Sequence, residues 1–74
     1  MRAKKRYVVC LRNKGYEGAL ERHKIYIALG ADGAEARGLV RVIDESGEDY
    51  LYETNRFAEI ELPRRIARAI AASV

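Results

Sequence analysis

The sequence predicts a mainly-β domain, a small five-stranded barrel followed by a short C-terminal α-helix. Three observations carry that expectation. Five short runs rich in β-branched and aromatic residues are separated by Gly, Asn and Asp turn chemistry. The clearest amphipathic helical stretch stands last, behind the single proline, Pro63. Finally, 74 residues with 49% hydrophobic and 34% charged side chains make one small globular domain. A chain of this size buries only about 60% of its unfolded surface. Closing the sheet lets one core serve every strand and leaves few edges exposed.

Residues 1–6, with Arg2, Lys4, Lys5 and Arg6, read as a disordered basic arm ahead of a barrel over 7–62 and a helix over 63–74. The first strand is Tyr7 to Leu11, and Arg12-Asn13-Lys14-Gly15 breaks it. Tyr16 to His23 has no clean period and reads as an excursion loop with Leu20 pinned inward. Lys24 to Leu29 alternates, with Ile25, Ile27 and Leu29 on one face and Tyr26 and Ala28 on the other. Gly30 ends this strand. Asp32-Gly33-Ala34-Glu35 has capping-box spacing with Gly38 as a C-cap, which allows one helical turn or a loop. Leu39 to Asp44 and Asp49 to Glu53 form a hairpin around Glu45-Ser46-Gly47, with Gly47 left-handed. That register sets Val42 opposite Tyr50 and Val40 opposite Tyr52. A two-residue Ser46-Gly47 turn would set Val42 against Leu51, and the three-residue loop is favoured. Thr54-Asn55-Arg56 is a tight corner, and Phe57 to Leu62 a fifth strand with Phe57 and Ile60 inward. On the final helix Ile66, Ile70 and Val74 share a quadrant, with Arg64, Arg65 and Arg68 turned away. About 11 residues of helix are marginal alone, so this one is expected to dock on an open barrel end through Ile66 and Ile70.

Strand, long loop, strand, loop, strand, tight hairpin, strand, one-turn corner, strand is the order of the SH3-like barrel. The chain also resembles a group of small bacterial and phage-type proteins with SH3-like barrels. Val8-x-Cys10, Asn13, Leu20, Lys24-x-Tyr26, Asp44-x-x-Gly47, Tyr50-x-Tyr52 and Phe57 carry the likeness, which spans Tyr7 to about Leu62. The resemblance implies the fold and lends no activity. Signalling SH3 domains that bind proline-rich peptides share only the strand order. Their groove uses a tryptophan and several first-loop tyrosines, whereas this chain has no Trp and offers Tyr16 alone there.

Composition narrows the function classes. No apolar run approaches the roughly 20 residues of a membrane span, and Tyr7 to Leu11 is too short for the core of a secretion signal. A single cysteine favours a reducing, cytoplasmic compartment and leaves no disulfide framework. One His and one Cys are too few for a structural zinc site, and no cofactor motif is present. The formal charge of +3 is uneven: residues 1–24 carry +6, residues 25–63 carry −6, and the three helix arginines add +3. Such asymmetry fits either an anionic partner or ends that lie against the acidic middle.

Candidate chemistry is sparse. Cys10 and His23 are the one pair that suggests nucleophilic catalysis, but Cys10 sits mid-strand as a small hydrophobe and His23 in a charged run. Asp44, Glu45, Glu48 and Asp49 crowd one hairpin without calcium-loop spacing. No catalytic, metal or cofactor residue is assigned, and a non-enzymatic binding module for a protein partner is expected. Its surface would use Tyr16, Tyr26, Tyr50 and Tyr52. The alternative is a weak nucleic-acid binder using Lys4, Lys5, Arg6, Arg12, Lys14, Arg22 and Lys24 for phosphates. A monomer or weak homodimer without membrane contact completes the expectation.

Overall fold

The computed structural model describes residues 5–30 and 33–72, without the side chains of Lys5 and Ala71. Five antiparallel strands form one sheet: β1 (Lys5–Cys10), β2 (Ile25–Leu29), β3 (Leu39–Ile43), β4 (Asp49–Glu53) and β5 (Phe57–Ile60). One helix, α1 (Arg64–Ala72), follows. The sheet order is β4-β3-β2-β1-β5.

The predicted barrel does not close, because β4 and β5 share no ladder and stand as the two edges. Yet only a three-residue 3-10 turn, Thr54–Arg56, connects them. The edges of a flat five-strand sheet lie about 19 Å apart, whereas such a turn advances about 8 Å. The sheet must therefore coil until its edges meet at this corner. Backbone bonds fasten the meeting point: the Leu11 N–H donates to the Arg56 carbonyl at 2.7 Å, and the Thr54 N–H to Gly38 at 3.0 Å.

The sheet's inner face is the core. Val8 and Cys10, Tyr26 and Ala28, Val40 and Val42, Tyr52 and Phe57 cluster there, joined by Leu20 from the long loop. Leu20 and Val42 are fully enclosed. The registers Val8↔Tyr26, Ala28↔Val42, Val40↔Tyr52 and Cys10↔Phe57 place these residues on one face by strand alternation. Phe57 is buried as expected, whereas Ile60, three residues on, falls on the opposite face and is half-buried.

The hairpin has the favoured register, Val42↔Tyr50 and Val40↔Tyr52. Gly47 takes φ 84°, its N–H donates to Asp44, and the Asp44 N–H donates to Glu48, which closes the three-residue loop. The turn after Gly33 is a 3-10 helix, Ala34–Arg37, capped by Gly38; Asp32, the expected N-cap, lies outside the described residues.

Two ends differ from expectation. β1 begins at Lys5 rather than Tyr7, because Lys5 pairs with Leu29 and Arg6 with Ala28 in the ladder with β2. Part of the supposed basic arm is therefore strand. The helix docks, but across the sheet's outer face rather than at a barrel end. Ile70 lines, with Ile25, Ile27 and Ile43, a groove of about 530 Å³, and the Tyr7 hydroxyl donates to the Ala67 carbonyl at 3.1 Å. Ile66, expected in the contact, is 46% exposed. It shares Ile70's side of the helix but lies one turn earlier, about 6 Å along the axis, where it is left uncovered.

Candidate functional site

Two hairpin carboxylates decide which tyrosines face solvent. Asp44, itself buried, accepts the Tyr52 hydroxyl at 2.6 Å, the Ser46 hydroxyl at 2.5 Å and the Ser46 N–H at 2.9 Å. Burial alone would raise its pKa, but the bonds from Ser46 and Tyr52 outweigh that and hold it below the ordinary range. Glu45 accepts the Tyr26 hydroxyl and the Lys24 ammonium, each at 2.6 Å, and the Glu21 N–H donates to the same tyrosine oxygen. Burial, then the carboxylate bond, pushes both tyrosine hydroxyls up. Tyr26 and Tyr52 are each 5% exposed. The four-tyrosine partner surface is thus corrected: two of its members are core, drawn inward because their hydroxyls find acceptors there.

Tyr16 and Tyr50 remain exposed, and their surroundings differ. Tyr50 donates to Glu48 at 3.0 Å in the acidic hairpin. Tyr16 sits where the first loop meets the β4–β5 corner. Its ring stands edge-on to Tyr52 at 5.0 Å, and the Arg56 guanidinium covers it at 4.6 Å. Arg56 is fixed in turn, donating to the Glu53 carboxylate at 2.6 Å and the Lys14 carbonyl at 2.9 Å. Arg12 donates to the Asn55 carbonyl at 2.9 Å. Arg12, Lys14, Glu53, Asn55 and Arg56 line a shallow basin of about 330 Å³ beside the ring. Leu11, 43% exposed, adjoins Arg12 in the chain. An aromatic ring and cations thus share one rim, with exposed Leu11 next to Arg12 in the chain, anchored by backbone bonds from Leu11 and Arg12 to Arg56.

The predicted phosphate contacts do not form one surface. Lys4 and the Lys5 side chain lie outside the described residues. Arg6 pairs with Glu35 and Glu59, and Lys24 with Glu45 and Glu21. These two cations do lie against the acidic middle, as one reading of the charge asymmetry held. Arg12 and Lys14 stay on the rim, and Arg22 is exposed elsewhere in the loop. Sequence reasoning missed Arg56, whose role needs the corner to be folded against the first loop. Its place in the corner beside Asn55 was the available signal.

Cys10 is fully buried, and its thiol is pushed up by burial and donates to the Arg12 carbonyl at 3.5 Å. His23 meets Cys10 through the backbone, its N–H donating to the Cys10 carbonyl at 2.6 Å. The protonated, enclosed sulfur is a poor nucleophile. Among the described residues no cluster of His, Cys, Asp and Glu is arranged to hold a metal ion, and no helix is long and apolar enough to cross a membrane. No family model, curated protein or solved structure matches the chain.

Proposed function

We propose that the protein is a small non-enzymatic binding module of SH3-like strand order. It contacts a protein partner through the rim of Tyr16, Leu11, Arg12 and Lys14. The observation that carries this reading is the fixed Tyr16 ring, supported edge-on by Tyr52 and overlaid by Arg56. A tyrosine and arginines held in place beside exposed apolar surface are what protein hot spots are built from. Base stacking is the weaker use of this ring, because the guanidinium already occupies one of its faces. The lone buried thiol of Cys10 supports a reducing, cytoplasmic setting. A monomer presents the rim in full.

A photo-crosslinking side chain at Leu11 tests the reading in a nuclease-treated lysate, with one at Ala72 as control. The expected result is a discrete protein adduct from position 11, absent from position 72 and lost when Arg12→Glu and Lys14→Glu are added. No adduct, or equal adducts from both positions, would sink it.

A further inference from the structure

The domain's internal ion pairs leave several cations unpaired among the described residues, and three of these stand together on one helix. Among the described residues, Glu45 is taken by Lys24, Asp49 by Arg41, Glu53 by Arg56, and Glu35 with Glu59 by Arg6. Arg64, Arg65 and Arg68 of α1 are exposed, with no carboxylate within ion-pair reach among the described residues. At 100° and 1.5 Å per residue they span about 100° of the helix and about 6 Å of its length. Ile70, which lines the groove against the sheet, lies roughly opposite the centre of that arc. The three guanidinium groups therefore point outward together.

The arrangement opposes the helix that carries it. Arg64 faces Arg68 at i,i+4 and Arg65 faces Arg68 at i,i+3, both like-charge neighbours. Arg64 and Arg65 sit in the first turn, at the positive end of the helix dipole, and that turn holds no acidic residue. No carboxylate among the described residues pairs with them to offset these repulsions. We infer that the outward face of α1 is a contact surface for the phosphate backbone of a nucleic acid. Arginine's planar fork suits phosphate oxygens, and only a partner of high charge density relieves three adjacent cations at once. A second copy of this chain fits poorly, since most of its carboxylates are already engaged. A lipid surface fits poorly too, since Ile66 is the one large apolar side chain that α1 exposes. The face carries no aromatic residue to read bases, so the contact is independent of sequence. This inference does not depend on the Tyr16 rim.

Fluorescence anisotropy of the full chain on labelled mixed-sequence duplex DNA, across a salt series, is the test. Three phosphate contacts give a slope of log K against log salt of about −2.7 on duplex, or about −2.1 on single strands. The variant Arg64→Gln/Arg65→Gln/Arg68→Gln should lose at least tenfold in affinity and most of that slope. Its melting temperature should rise, because the repulsions go with the charges. A control, Arg22→Gln/Arg37→Gln, should keep the slope. Absence of binding at low salt, unchanged binding by the triple variant, or equal loss in the control would overturn the inference. So would equal binding to polyglutamate or to phosphatidylserine vesicles, which would assign the face to another class of partner.

Discussion

Asp44 is the residue on which the hairpin and the core both depend. It is 7% exposed and accepts three hydrogen bonds, two from Ser46 and one from Tyr52. Its folded pKa lies below the ordinary 3.8, so the unfolded chain binds the proton first as pH falls. The stability Asp44 supplies is therefore complete above its unfolded pKa and is lost as pH drops through the folded value. Glu45, held down by Lys24 and Tyr26, acts in the same direction. Thermal melts between about pH 2 and 6 should show stability falling below about pH 4. Asp44→Asn should flatten part of that fall and cost about 1–3 kcal/mol at neutral pH, since the Tyr52 hydroxyl and Ser46 lose a charged acceptor. An unchanged acid limb in the variant would remove Asp44 from this role. Cys10 provides a second residue-scale expectation. Its burial and raised pKa predict that a thiol reagent modifies the native protein only as fast as it opens, and Cys10→Ser should alter stability alone. Fast labelling of a folded sample would contradict the placement. The sequence showed Cys10 as buried through its apolar neighbours. It did not show Tyr26 and Tyr52 as buried, because that follows from carboxylates that only the hairpin brings near.

The β3–β4 hairpin is the element most legible in the sequence, since a three-residue loop with glycine at its left-handed position fixes the register by local chemistry. A Cβ on Gly47 would meet nothing within 4 Å, so only its φ of 84° demands glycine. Gly47→Ala should therefore cost about 1–2 kcal/mol through backbone strain alone. Gly47→Asn should cost less, and chemical denaturation of the two variants compares them. Equal losses would mean that space, not conformation, sets the requirement. Strand β2 was only half legible. Its alternation separates the isoleucines from Tyr26 and Ala28, but both faces are apolar and the pattern cannot rank them. The structure turns Tyr26 and Ala28 to the core and leaves Ile25, Ile27 and Leu29 outward, where Ile70 of the helix shares a groove with Ile25 and Ile27. The start of β1 was hidden for a related reason, since Lys5 and Arg6 look like solvated tail until Leu29 and Ala28 are seen to pair with them.

At the scale of the whole molecule, the five predicted strands are present in their order, with β1 starting two residues earlier and β5 ending two residues sooner than expected, and closure is not. Closure depends on strand coiling and on where the edges stop, and neither leaves a mark in residue pattern. The result is a domain of unequal parts. The sheet carries its core on the inner face and ties both edges together at the Thr54–Arg56 corner, so its amides should open only when the whole sheet does. The helix has nine residues, sets Arg64 and Arg65 in its first turn against its own dipole, and docks by the Tyr7–Ala67 bond beside the groove that Ile70 lines. Each misplaced charge costs about 0.3–1 kcal/mol, and a helix this short has little intrinsic stability to set against that. Native-state hydrogen exchange should therefore find the Ala67 to Ile70 amides exchanging orders of magnitude faster than those of Val8, Ala28 and Val42. Replacing Ile70 by Ala should widen the gap while leaving sheet protection nearly unchanged, because Ile70 lies outside the inner cluster. Equal protection in helix and sheet would instead make α1 part of the global folding unit. Its arginines would then be a charge arrangement that the fold as a whole sustains, rather than one carried by a separately opening element.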